Sequence, residues 1–234
     1  MTLPLYLAVT GEDFSSVALS GDKLAWMACH FSPTGAGLCD LPPELPVGSM
    51  VMLNDALPFH NHRVENILPQ LQALTAKCSG VLLDFQRPYN EKLRQLVYRL
   101  ATGLSCPVGV PPGYARGLSC PVFLPPVPLN KTPQAYFAPW KGREIWLDVA
   151  LDGLQIAVTA KGSRFTPLAD PVPGKPVFTD ARLHCDYYTA LTESGAQFTL
   201  YRTRKTLNSL LAAAEKFGVT RCIGLYQELY KTSL

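Results

Sequence analysis

Short, almost wholly apolar runs alternate with amphipathic helical stretches along most of this chain. "SMVMLN" (49–54) and "GVLLDF" (80–85) show no polar alternation. A strand without a polar face must be covered on both sides, and the common solution is a parallel sheet flanked by helices. The helices are legible too. The segment 62–77 carries Val64, Ile67, Leu68, Leu71 and Leu74, and 89–102 carries Leu93, Leu96, Val97 and Leu100. Both spacings give a single apolar stripe. Leu207, Leu210, Leu211, Ala214 and Phe217 mark a helix over 204–217, which Gly218 is placed to stop.

Further apolar runs at 3–10, 23–31, 106–110, 120–124, 143–151 and 220–226 bring the parallel candidates to about eight, enough to close a barrel. A regular barrel of this kind takes about 250 residues, and these 234 must also hold hairpins. The expected fold class is therefore α/β: a reduced (β/α)8 TIM-like barrel with a β-hairpin insertion between strands seven and eight. Asp152-Gly153, between "REIWLDVAL" and "LQIAVTA", reads as one hairpin turn, and "TESG" (192–195) as a second. The expectation is one domain over 1–234, with the inserted excursion at about 151–202.

Several function classes drop out. Charged residues are only 17% and the net charge of +3 is scattered, with no basic run, so nucleic acid is not an expected partner. Pro or charge interrupts every long apolar run, so no membrane span is expected. "MTLPLYLAVTGEDF" lacks a positive n-region and reads as a first strand, which makes the expected location cytoplasmic. Seven cysteines (Cys29, Cys39, Cys78, Cys106, Cys120, Cys185 and Cys222) are an odd number without CxxC, and are expected as reduced, mostly buried thiols. No zinc spacing is present, and no metal or cofactor is expected. Twenty-one prolines cluster in 107–139 and 167–176 and suggest long ordered loops.

In a parallel barrel the site lies at the C-terminal ends of the strands. The candidates for ligand contact there are Trp26, Asn54, Asp84, Gln86, Asp148 and Tyr226, with Asp55 beside Asn54. Asp84 and Gln86 are two apart and share one face of their strand. Asp148 either faces the mouth or forms a structural ion pair with Arg143 or Arg164, the second being favoured. His60 and His62, in "NDALPFHNH", read as a polar loop in preference to a metal site or a base.

"SGVLLDFQ" (79–86) resembles the fourth-strand signature of glycoside hydrolase family 18, Asp-Gly-x-Asp-x-Asp-x-Glu. Gly80, Asp84 and Phe85 stand at its glycine, last aspartate and common aromatic. The region 183–229 resembles the end of the same family, especially its spore-germination and cortex-lytic branch. Tyr188, Gly195, Leu207 to Leu211, Phe217-Gly218 and Ile223-Gly224 fit, and Tyr226 stands where the family has a tryptophan. The resemblance implies a chitinase-like barrel whose final Glu protonates the glycosidic oxygen while the substrate's N-acetyl carbonyl attacks. Here that position is Gln86, an amide without a usable acidic proton. Ser79 and Leu82 replace the earlier acids, and the family's sixth-strand Tyr-Asp pair has no counterpart in "CPVFLPP".

The expected function is thus a non-catalytic, glycosidase-like protein binding an amino sugar or peptidoglycan fragment. The alternatives are a hydrolase using Asp84 with a non-standard acid, and a protein-interaction scaffold without a sugar ligand.

Overall fold

The computed structural model describes residues 3–56, 64–168 and 176–231. Seven strands of the barrel come first: β1 (Leu5–Val9), β2 (Lys23–Trp26), β3 (Met50–Asn54), β4 (Gly80–Asp84), β5 (Val108–Gly109), β6 (Val122–Leu124) and β7 (Ile145–Asp148), with a two-residue pair, His30–Phe31 and Leu38–Cys39, between β2 and β3. An excursion follows, made of β8 (Gly153–Thr159), β9 (Gly162–Leu168), β10 (Phe178–Asp180), β11 (Cys185–Thr192) and β12 (Gly195–Tyr201). β13 (Val219–Leu225) then returns to lie between β7 and β1.

Parallel pairing runs from β1 through β2, β3 and β4 to β5, and from β6 through β7 and β13 back to β1. The join between β5 and β6 is the thinnest. It is a single bridge, Val110 to Val122, in which Val110 N–H donates to Pro121 O (3.0 Å) and Phe123 N–H to Val110 O (2.8 Å). The sheet is curled into an eight-strand ring, and the α/β barrel expected from the apolar runs is the observed architecture.

Side chains alternate across each strand. Tyr6, Ala8, Ala25, Met50, Met52, Leu82, Phe123, Trp146 and Ile223 form one buried cluster, which fills the lumen. Their neighbours Leu7, Leu24, Val51, Leu53, Val81, Leu83 and Leu147 pack outward under the helices. Trp146 is fully buried. Its indole occupies the room left by two glycines. A Cβ on Gly80 would come within 2.7 Å of Trp146 Cη2, and one on Gly109 would collide with the same ring. The glycine of the 79–86 motif therefore has a packing reason.

Helices α1 (Gly11–Ser20), α2 (Val64–Thr75), α3 (Glu91–Gly103) and α5 (Arg204–Ala214) cover the outside, with a single short turn of helix, α4 (Pro133–Phe137), between β6 and β7. Asn90 caps α3 by accepting Lys92 N–H at 2.9 Å, and Thr203 caps α5 in a reciprocal box with Thr206. Gly218, at φ 90°, ends the final turn after α5, where a Cβ would press on Arg143 O. The barrel is reduced because the β5–β6 connection holds only a 3₁₀ turn (Pro112–Tyr114) where a regular barrel has a helix.

Three local expectations need correction. The run 23–31 is not one strand: β2 ends at Trp26, and His30–Phe31 pairs antiparallel with Leu38–Cys39. "GEDFSSVALS" is the helix α1, too sparse in apolar positions to announce itself; Phe14 sets its ring edge-on against Trp26 (5.8 Å, 79°). Asp152-Gly153 is not a hairpin turn. Segment 145–148 joins the parallel barrel, and β8 pairs with β9 through the turn at Ala160-Lys161 and with β12 on its other edge. Turn chemistry is local, whereas the partners of β7 lie far away in sequence. The "TESG" hairpin is as expected, with Thr192 opposite Gly195 and no room for a Cβ at Gly195 against Val158 O. The excursion forms a five-stranded antiparallel sheet, docked through Leu129, Cys185 and Leu200. Cys29, Cys185 and Cys222 are buried as small apolar side chains, and burial pushes each thiol up to about 12.

Candidate functional site at the barrel mouth

The lumen parity continues upward from Met52 to Asn54, from Leu82 to Asp84 and from Trp146 to Asp148. Asn54 and Asp84 are register partners on adjacent strands. The Gln86 amide, on the loop after β4, donates to Asp84 Oδ1. Three of the candidate polar residues thus stand together: Asn54, Asp84 and Gln86. Asp148 is near enough on the other side of the lumen to feel the charge of Asp84.

Each has a distinct task. Asn54 is committed to the rim, since Nδ2 donates to Met27 O and Oδ1 accepts Ala56 N–H, both at 3.1 Å. Asp84 is held above the usual carboxylate range by burial. The Gln86 amide opposes that shift and the charge of Asp55 adds to it. Burial first, and then Asp84, raise the Asp148 carboxyl to about 7; the Val149 N–H opposes the rise, and Glu228 and Asp152 add to it. The ion pair expected of Asp148 is replaced by this acidic setting. Arg143 instead donates to Cys120 O (3.0 Å), and Arg164 lies in β9 opposite Ala157.

Two of the candidates are elsewhere. Trp26 is turned outward into the layer between barrel and α1, where its Nε1–H donates to Asp40 O at 2.8 Å and its ring is 6% exposed. Strand parity explains this, because Ala25 takes the lumen position. In β13, Ile223 faces the lumen, so parity brings Leu225 to the mouth and leaves Tyr226 outside, its ring stacked on Tyr230 at 5.5 Å. His60 and His62 lie outside the described residues.

Two residues that sequence patterns had not placed there, Tyr136 and Glu228, join the site, and Asp55, expected beside Asn54, takes a supporting role. Asp55 is 1% exposed, and its carboxylate accepts Gln86 N–H (2.8 Å) and Arg87 N–H (3.3 Å), pinning the loop that carries the amide. Tyr136, from α4, donates its hydroxyl to Pro125 O at 2.7 Å; burial and the neighbouring Asp148 push it up to about 12. Glu228 accepts Leu151 N–H at 2.9 Å and adds its charge to Asp148. Tyr136 and Glu228 belong to no short motif, so only folding reveals them; for Asp55 folding adds the role of loop clamp. Among the described residues no cluster of three or more His, Cys, Asp or Glu is arranged to hold a metal ion.

Asp55→Ala is expected to cost about 1–3 kcal/mol, because both loop amides lose a buried acceptor. Urea unfolding measures the cost, and faster amide exchange at Gln86 and Arg87 reports the loosened loop. Unchanged exchange there would show that Asp55 does not hold it.

No sequence-family model and no curated protein matches the chain. Solved structures do. A class V chitinase from Nicotiana tobaccum superposes with TM-score 0.61 at 11% identity, covering 100% of this chain and 98% of that one. The C-terminal domain of a putative chitinase from Desulfitobacterium hafniense gives 0.59 at 12%, covering 96% and 93%. A chitinase-like agglutinin from Robinia pseudoacacia gives 0.59 at 11%, covering 97% of both. At such identities the likeness is one of fold, and it extends over essentially the whole chain. The protein has a glycoside hydrolase family 18-like, chitinase-like barrel fold.

Proposed function

We propose that the barrel mouth binds a glycan of the amino-sugar type, an oligosaccharide or a peptidoglycan fragment, without cleaving it. The observation that carries this reading is the Gln86 amide laid against Asp84. An amide positions a hydroxyl or carbonyl by hydrogen bonding but has no proton to give a leaving oxygen near neutral pH. General acid–base assistance is worth roughly 10²–10⁴-fold, and hydrogen bonding alone does not replace it. Two similar structures support retained binding. One is named as an agglutinin, and a glutamate-to-glutamine variant of the tobacco chitinase was solved with NAG4. Asp84 and Gln86 supply the polar contacts, Asp55 holds their loop, and the apolar lumen below excludes water.

A second reading has one observation in its favour. Asp148, with its carboxyl at about 7, carries a proton over part of the neutral range. In that reading Asp148 is the non-standard acid and Asp84 the partner carboxylate.

Chitin oligomers and cortex muropeptides separate the two. Calorimetric titration is expected to show saturable binding of one of these classes, weakened by Asp84→Asn, with no reducing ends released above a boiled control. Release that disappears in Asp148→Asn establishes the second reading. Failure of both ligand classes to bind removes the glycan reading altogether.

A further inference from the structure

A regular barrel covers the outside of its fifth and sixth strands with a helix. In this chain that cover is missing, and the flank of α3 is left open to the loop that follows Pro111. The result is a cavity of about 290 Å³ between α3 and residues 114–118. Its floor is Tyr114, 3% exposed and held rigidly: the ring meets Phe85 edge-on (5.9 Å, 90°), and the hydroxyl accepts Asn90 N–H at 3.1 Å. Its lip is Tyr98, 56% exposed.

Three guanidinium groups, Arg94, Arg99 and Arg116, stand on the wall, against the single carboxylate of Glu91. Arg94 meets Glu91 at 3.2 Å and Arg99 meets Glu65 at 2.9 Å, all four side chains being about half exposed or more. Pairs this exposed contribute little and exchange readily for another anion. Arg116, on the exposed loop, has no hydrogen bond or ion pair among the described residues.

We propose that this groove is a ligand site separate from the barrel mouth, and that it takes a small organic anion: a carboxylate or phosphate ester on a flat ring. Guanidinium forks match the planar, bidentate geometry of such head groups. Tyr98 and Tyr114 both line the groove, so an aromatic ring on the ligand gains stacking and cation–π contact in addition to burial. The volume lies at the small end of ligand pockets and suits one ring with one head group. The site stands independently of what the mouth binds, since no mouth residue lines it.

The probes are phenyl phosphate, benzoate and inorganic phosphate, titrated into the full chain at constant ionic strength and followed by calorimetry and amide chemical shifts. Phenyl phosphate or benzoate is expected to saturate below about 10 mM, with shifts centred on Tyr98 and Arg116. Arg116→Ala, a change at an exposed position, is expected to weaken binding at least about tenfold, roughly the worth of a charged hydrogen-bonded contact. Asp84→Asn is expected to leave it intact. A carboxylate preference or a phosphate preference identifies the head group. The proposal is overturned by no saturation with either aryl anion, by an affinity indifferent to Arg116→Ala, or by inorganic phosphate binding as tightly as phenyl phosphate.

Discussion

Replacing Asp148 with asparagine is expected to stabilise the protein at pH 8 by about 2–4 kcal/mol and to change it little at pH 4. The Asp148 carboxyl goes from its ordinary 3.8 to about 7 on folding. A raised carboxyl binds its proton more tightly in the folded chain than in the unfolded one. Its favourable contribution is therefore complete below the unfolded value and is lost as pH rises through the folded one. At about 1.36 kcal/mol per pH unit the gap is on the order of 4 kcal/mol, and the solvent-facing edge of the side chain trims that figure. Asparagine keeps the shape and carries no charge at any pH in this window. Asp84, Asp152 and Glu228 are raised as well, so the parent protein should itself weaken between pH 4 and 8. His184, held below its usual value by burial, acts in the opposite sense, and the difference between variant and parent cancels it. Urea midpoints at the two pH values provide the measurement. An equal effect at both would show that the carboxyl is not perturbed.

Trp146→Ala is expected to lower stability by about 3–5 kcal/mol, the range for removing a large buried aromatic. The ring is fully buried, its Nε1–H donates to Glu144 Oε1 at 3.1 Å, and the Arg221 guanidinium stands 4.6 Å from it. Because Gly80 and Gly109 contribute nothing to the space it vacates, neighbouring side chains cannot collapse into the gap. Trp146→Phe should cost less, since most of the lumen stays filled. Should Trp146→Ala unfold at the parental urea concentration, the lumen would not be the packed core described above. The loss also reaches the mouth, because Asp148 is two residues further along the same strand and the same face.

The path from chain to barrel was short for the segments whose chemistry is local. α3 and α5 followed from apolar spacing, a cap and a stopping glycine. The strands β3 and β4 followed from runs too apolar to face water, and their partnership is in register from Met50–Gly80 to Asn54–Asp84. The Asp84–Gln86 proximity was visible from the two-residue spacing, but the strand ends at Asp84 and the contact is made by a loop that Asp55 pins. The Asp152-Gly153 hairpin fails for the converse reason: the dipeptide resembles a turn, and nothing nearby in sequence shows that 145–148 pairs with β6 and β13 while β8 pairs with β9 and β12.

What the amino-acid order determined alone is the inventory: apolar strands that require cover on both faces, helices that supply it, and an amide, Gln86, two residues from the Asp84 carboxylate. Burial, parity around the closed ring and electrostatic neighbourhood were left to tertiary structure. Those decided that Trp26 and Tyr226 face away from the lumen, that Asp55 clamps the Gln86 loop across 31 residues, and that Asp148 keeps a proton near neutrality. The physical reason is range. Propensity and periodicity act over a few residues, whereas a carboxyl's proton affinity depends on every charge and apolar group that folding brings around it.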